Sequence, residues 1–195
     1  MVQPSRQTTA SRARRQPAAF IAAAALLALL LALAAPTLLW AYHLGRAGDL
    51  LQRGLEWPAP RSADSLPLAR DPEALAAAAH ELEAARAWRP DHPHAYRLAG
   101  HLALAQGDWQ AAAGHLEAAR ARAPRNPLIA WEAGLAYEQL WRASGDDALR
   151  AKMVDAWRAA GLDAGALSAR AHEAEDAGQA AEAWYARAEL LQAGP

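Results

Sequence analysis

Residues 93–126 read PHAYRLAGHLALAQGDWQAAAGHLEAARARAPRN, and their spacing decides the fold. Pro93 suits the first turn of a helix, where its missing N–H has no intrahelical partner to lose. From there Tyr96, Ala99, Gly100 and Ala103 recur at three- and four-residue steps, which places them on one helical face. Gly107-Asp108 breaks the run, because glycine accepts the left-handed turn that ends a helix and aspartate caps the helix that follows. Ala112 and Leu116 continue the spacing in a second helix, and Pro124 stops it. Gly100 and Ala112 are small where the two helices must cross, while Tyr96 and Leu116 supply bulk.

The unit recurs. At an offset of 34, Ala78, Leu82, Ala85 and Pro90 fall on Ala112, Leu116, Ala119 and Pro124, and Pro93 falls on Pro127. The next unit repeats Ala133-Gly134-x2-Tyr137, but its turn, residues 144–147 (SGDD), comes late, so its first helix should be longer. A weaker unit follows, with Gly178-Gln179 as its turn, Ala183 and Pro195 in register, and Arg187 where an apolar side chain is expected. Tyr96-x2-Ala99-Gly100-x2-Ala103, Ala112-x3-Leu116 and Pro124, at this period, resemble the tetratricopeptide repeat. Ala99 and Ala103 depart from the Leu and second aromatic of that pattern. The resemblance implies an all-α fold, an α-solenoid of helix-turn-helix units: a half unit over residues 71–92, then units 93–126, 127–162 and 163–195. A continuous coiled coil is excluded by the Pro and Gly-Asp interruptions.

Composition points the same way. Ala is the commonest residue, whereas Thr occurs only at 8, 9 and 37, Val at 2 and 154, Ile at 21 and 129, and Phe at 20, so strand formers are scarce. With no Cys, disulfides and thiolate chemistry are out. The net charge of -1 hides an asymmetry: residues 1–42 hold Arg6, Arg12, Arg14 and Arg15 with no acid, and the rest of the chain is acidic. An acidic body argues against a nucleic-acid partner. Among 20 basic residues only Lys152 is Lys, a usage that accompanies GC-rich bacterial genomes.

Residues 20–40, FIAAAALLALLLALAAPTLLW, carry no charge, and about 20 apolar helical residues cover the hydrocarbon layer of a bilayer. A transmembrane helix over residues 18–42 follows, with residues 1–17 as a basic tail and Trp40 and Tyr42 at the interface. The Arg cluster ahead of the span outweighs Arg46 and Arg53 after it, which predicts a cytoplasmic N-terminus and an extracytoplasmic body. The competing reading is a signal peptide cleaved after Ala34, behind the small-residue site Ala32-Leu33-Ala34. Residues 43–57 suit a weak amphipathic helix, and the Pro-rich residues 58–70 a linker, so that residues 43–70 separate the anchor from a domain beginning at Asp71.

No nucleophile motif, H-E-x-x-H pair or phosphate loop is present, so neither enzymatic activity nor a cofactor is expected. The cluster Asp91-His92-Pro93-His94, with His101, reads as a polar loop rather than a metal site. In tetratricopeptide stacks the first helix of each unit lines a concave groove, and the resemblance assigns that role to His94, Arg97 and His101, then to Leu128, Trp131, Leu135 and Glu138. Arg97 suits a partner carboxylate, and imidazoles near their ordinary pKa of about 6.5 would add charge as pH falls, favouring an acidic protein or peptide. Trp131 reads equally as a groove contact or as packing between units. The expected function is a membrane-tethered protein-interaction scaffold or assembly factor of the bacterial cell envelope, in the cytoplasmic membrane; the alternative is a secreted peptide- or carbohydrate-binding module.

Overall fold

The computed structural model describes residues 16–57, 66–179 and 181–194. Eight α-helices dominate them: α1 (Gln16–Gly54), α2 (Pro72–Trp88), α3 (Pro93–Ala105), α4 (Trp109–Arg122), α5 (Pro127–Ser144), α6 (Asp147–Ala159), α7 (Ala164–Asp176) and α8 (Glu182–Ala193). Neighbours pair as antiparallel hairpins, α1 with α2, α3 with α4, α5 with α6 and α7 with α8, and α2 also packs on α3 and α4 on α5. Short polar caps set the boundaries. Asp71, Asp108, Asn126, Asp146 and Asp163 each accept a backbone N–H from the first turn of the following helix, satisfying donors that have no intrahelical acceptor. Gly107 and Gly145 close α3 and α5 with φ of 72° and 70°, a conformation that costs glycine little. The late turn of the third hairpin does lengthen its first helix, to 18 residues in α5 against 13 in α3. The four N-terminal Arg, most of the Pro-rich stretch and Pro195 lie outside the described residues.

The beginning of the packed domain differs from the sequence expectation. The anchor and the juxtamembrane segment form one helix of 39 residues, with Pro36 inside it. Gly45 and Gly48 do not interrupt it, because packing outweighs their weak helix propensity: Ala47, Leu50 and Leu51 are buried against Ala74, Leu75, Ala78 and Leu82 of α2. The chain then turns through a two-residue antiparallel pair, β1 (Leu55–Glu56) with β2 (Leu68–Ala69), Leu55 opposite Ala69. Residues 43–57 therefore pack with the domain instead of spacing it from the anchor, and α2 forms its hairpin with the end of α1.

The other half of α1 is bare. Phe20, Ile21, Leu26, Leu27, Leu29, Leu30, Leu31, Leu33 and Leu38 are all exposed. No part of its most apolar window is buried, and its length and composition are sufficient to cross a bilayer.

Two larger clusters of buried side chains fill the domain. One joins α1, α2 and α3; the other runs from Ala103 and Leu104 of α3 through Leu116, Tyr137, Met153, Val154 and Trp157 to Leu167, Ala188 and Leu191. Trp157 is fully buried, and Trp109, Trp141 and Trp184 pack against the same cluster, supplying the volume that Ala-rich helices lack.

Candidate functional site: the face of α3 and α5

His94, Arg97 and His101 do share a face of α3, because residues three and seven positions apart overlie one another on a helix. What they face is α5. Arg97 grips Glu132 with both arms of its guanidinium, Nε donating to Oε2 at 2.7 Å and Nη2 to Oε1 at 2.6 Å. The carboxylate expected from a partner is thus supplied by the neighbouring hairpin. His101 is buried, its Nε2 2.9 Å from Oε1 of Glu132. The indole of Trp57 meets the His101 ring edge-on at 5.6 Å between centroids. His94 is exposed at the start of α3.

The electrostatics of this cluster follow from its packing. Burial alone would raise the Glu132 carboxyl, but the Arg97 hydrogen bonds and nearby His101 outweigh it and hold the group below its ordinary value of 4.5. Partial burial, then Arg97, His92 and His101, push the His94 imidazole below 6.5 against a smaller pull from Glu132. His94 accordingly takes up its proton at lower pH than the sequence reading supposed, which weakens its share in the expected gain of positive charge as pH falls. For stability the sign is set by Glu132: a depressed folded pKa contributes stability that is complete above about pH 4.5 and is lost as pH falls through the folded value. Glu132→Gln is expected to flatten the acid limb of a stability profile below about pH 4.5, and Arg97→Ala to destabilise the fold by about 1.5–3 kcal/mol through the lost charge-assisted bonds. Urea titrations across that pH range measure both.

The α5 residues separate by depth. Leu128 is 47% exposed, whereas Leu135 is buried and Glu138 is 1% exposed, so these last two do not line an open groove. Trp131 is half-buried and settles as packing: its ring stacks on Trp184 of α8 with centroids 5.9 Å apart at 14° and lies 6.1 Å from that of Trp157. Glu138 and the anomalous Arg187 explain each other. Arg187, also 1% exposed, donates to Oε2 of Glu138 from Nη2 at 2.7 Å and from Nε at 3.0 Å, while Arg142 reaches Oε1 at 2.6 Å. The Arg187 guanidinium carbon lies 5.6, 5.8 and 5.6 Å from the ring centroids of Trp131, Trp157 and Trp184. Three electron-rich faces and a carboxylate hold one buried cation, tying the last hairpin to the third.

Sequence reasoning missed Glu132 and Trp57. A signal for the first existed: Arg97 and Glu132 stand 35 residues apart, one repeat plus one, with opposite charges on successive first helices. Nothing comparable marks Trp57. His92 turns out to cap α3, its Nδ1 3.3 Å from the His94 N–H, and its ring lies against Trp40 at 4.4 Å. Among the described residues no group of three or more His, Asp or Glu is placed to hold a metal ion. No protein-family model, no curated protein and no solved structure matches this chain.

Proposed function

We propose that the chain is a membrane-anchored scaffold of tetratricopeptide type, holding a segment of another bacterial envelope protein against the concave side formed by α3 and α5. The observation that carries this reading is the continuity of α1. The helix that exposes an uncharged apolar run also contributes Ala47, Leu50 and Leu51 to the first hairpin, so a hairpin array is carried on a span without a flexible joint. A partner held there would sit at a fixed height above the bilayer. His94 and the one-fifth exposed edge of Arg97 are the polar contacts left on this side, beside Trp57.

Two experiments test it. The full chain should stay with membranes through alkaline extraction and retain its N-terminus; recovery of a soluble form beginning at Ala35 would establish the secreted alternative, since such a form keeps every α1 residue that packs on α2. A photo-crosslinking residue at His94 should then capture a defined partner protein in cells, while one at Gly114, exposed on α4, should not. Capture from Gly114 alone would move the binding surface to the convex side.

A further inference from the structure

The end of the apolar run and one edge of the domain lie at the same height. Antiparallel pairing fixes this: Gly54 of α1 lies beside Leu75 near the start of α2, His43 and Arg46 meet Glu81 in its middle at 2.6 and 3.2 Å, and Trp40 meets its end. There the Arg89 guanidinium lies 5.5 Å from the Trp40 ring centroid, and the His92 ring meets the same ring at a 50° tilt. The edge continues sideways to α4, because Arg122 Nε donates to the Pro90 carbonyl at 2.7 Å and Nη2 to the Tyr96 hydroxyl at 3.0 Å. The turns into α3 and into α5 therefore stand level with Trp40, and residues 20–40 alone are long enough to fill about 30 Å of hydrocarbon.

The chemistry of this edge differs from that of the opposite one. Residues 84–93 and 118–128 carry Arg86, Arg89, Arg120, Arg122 and Arg125 against Asp91 alone, whereas the described turns of the opposite edge, at 54–57, 66–71, 106–108 and 144–147, carry Glu56, Asp71, Asp108, Asp146 and Asp147 against Arg70. Trp88 and Leu128, 42% and 47% exposed, stand on the basic edge. An exposed indole and a leucine among guanidinium groups match a phospholipid interface, where the rings and stems enter the headgroup layer and the cations meet phosphate.

We infer that this edge, carrying Trp88, Arg89, Arg122, Arg125 and Leu128, rests on the anionic headgroups beside the span, so that the domain lies against the bilayer with its acidic edge outward. The inference rests on the reading of α1 as a membrane span. It adds a second membrane contact that fixes the tilt of the array and leaves Leu128 to the lipid instead of to a partner in the groove.

The absence of cysteine makes the test direct. Single Leu128→Cys and Asp147→Cys variants of the full chain, labelled with a fluorophore, are reconstituted into phosphatidylcholine–phosphatidylglycerol vesicles containing a headgroup-attached quencher. The edges are separated by the length of α3, whose 13 residues rise about 20 Å. The label at 128 should be quenched several-fold more than the label at 147, and the difference should shrink in high salt or without phosphatidylglycerol. Equal quenching at both positions in chain that resists alkaline extraction would overturn the inference and leave the anchor intact. Chain released by alkali would overturn the anchor reading and the inference with it.

Discussion

Glu138→Ala is expected to destabilise the folded chain by about 3–5 kcal/mol, the cost of removing one partner from a buried ion pair. The carboxylate is 1% exposed and takes two hydrogen bonds from Arg187, itself 1% exposed, and one from Arg142. Without it, the Arg187 guanidinium stays among Trp131, Trp157 and Trp184 with its principal countercharge gone. Aromatic faces recover only part of the loss, on the order of 2 kcal/mol for a desolvated cation. Replacing both charges by apolar residues of similar volume, Glu138→Leu with Arg187→Met, should cost much less than Glu138→Ala alone, because the penalty lies in the uncompensated charge. Urea unfolding of the detergent-solubilised chain followed by circular dichroism measures both. Equal losses for the single and double variants would mean that the side chains act through shape and not through charge.

The ion pairs show where sequence reading stops. The position and length of the α3, α4 and α5 helices follow from prolines, glycine turns and aspartate caps, all of which act within a few residues and are written locally. Which residues meet across hairpins is set by crossings of helices distant in sequence. Arg97 finds Glu132 and Arg187 finds Glu138 over 35 and 49 residues. Helical spacing established that Arg97 and Glu138 lie on particular faces, but not that those faces are covered. Arg187 was visible as an exception to an apolar pattern without its explanation, because the exception is resolved by a carboxylate three helices earlier, on α5. The start of the domain failed for a related reason: three glycines in residues 43–57 weaken an isolated helix, and the side chains of α2 that compensate for them belong to a different part of the sequence.

The glycines of the crossings allow a sharper test of the hairpin register. Gly100 and Gly134, 34 residues apart, each sit under a large side chain of the second helix. A Cβ at Gly100 would come within 2.6 Å of Leu116 Cγ, and one at Gly134 would overlap the Trp157 ring at Cδ1 and Nε1. Leu116 and Trp157 are fully buried, so neither can swing into solvent. Gly134→Ala is expected to cost about 1–3 kcal/mol, as overpacking does in a filled core, and Gly134→Leu or Gly100→Leu more. The indole is rigid where Leu116 can change rotamer, so Gly134→Ala should be worse than Gly100→Ala. Trp157→Leu should relieve part of the Gly134→Ala penalty, making the pair less destabilising than the sum of its members. Gly114 is the control. It lies on exposed α4 with nothing near its missing Cβ, so Gly114→Ala should stabilise the chain by roughly 0.5–1 kcal/mol through helix propensity alone. If Gly134→Ala matched Gly114→Ala in thermal unfolding, α5 and α6 would not cross at Gly134, and the register shared by the second and third hairpins would be wrong.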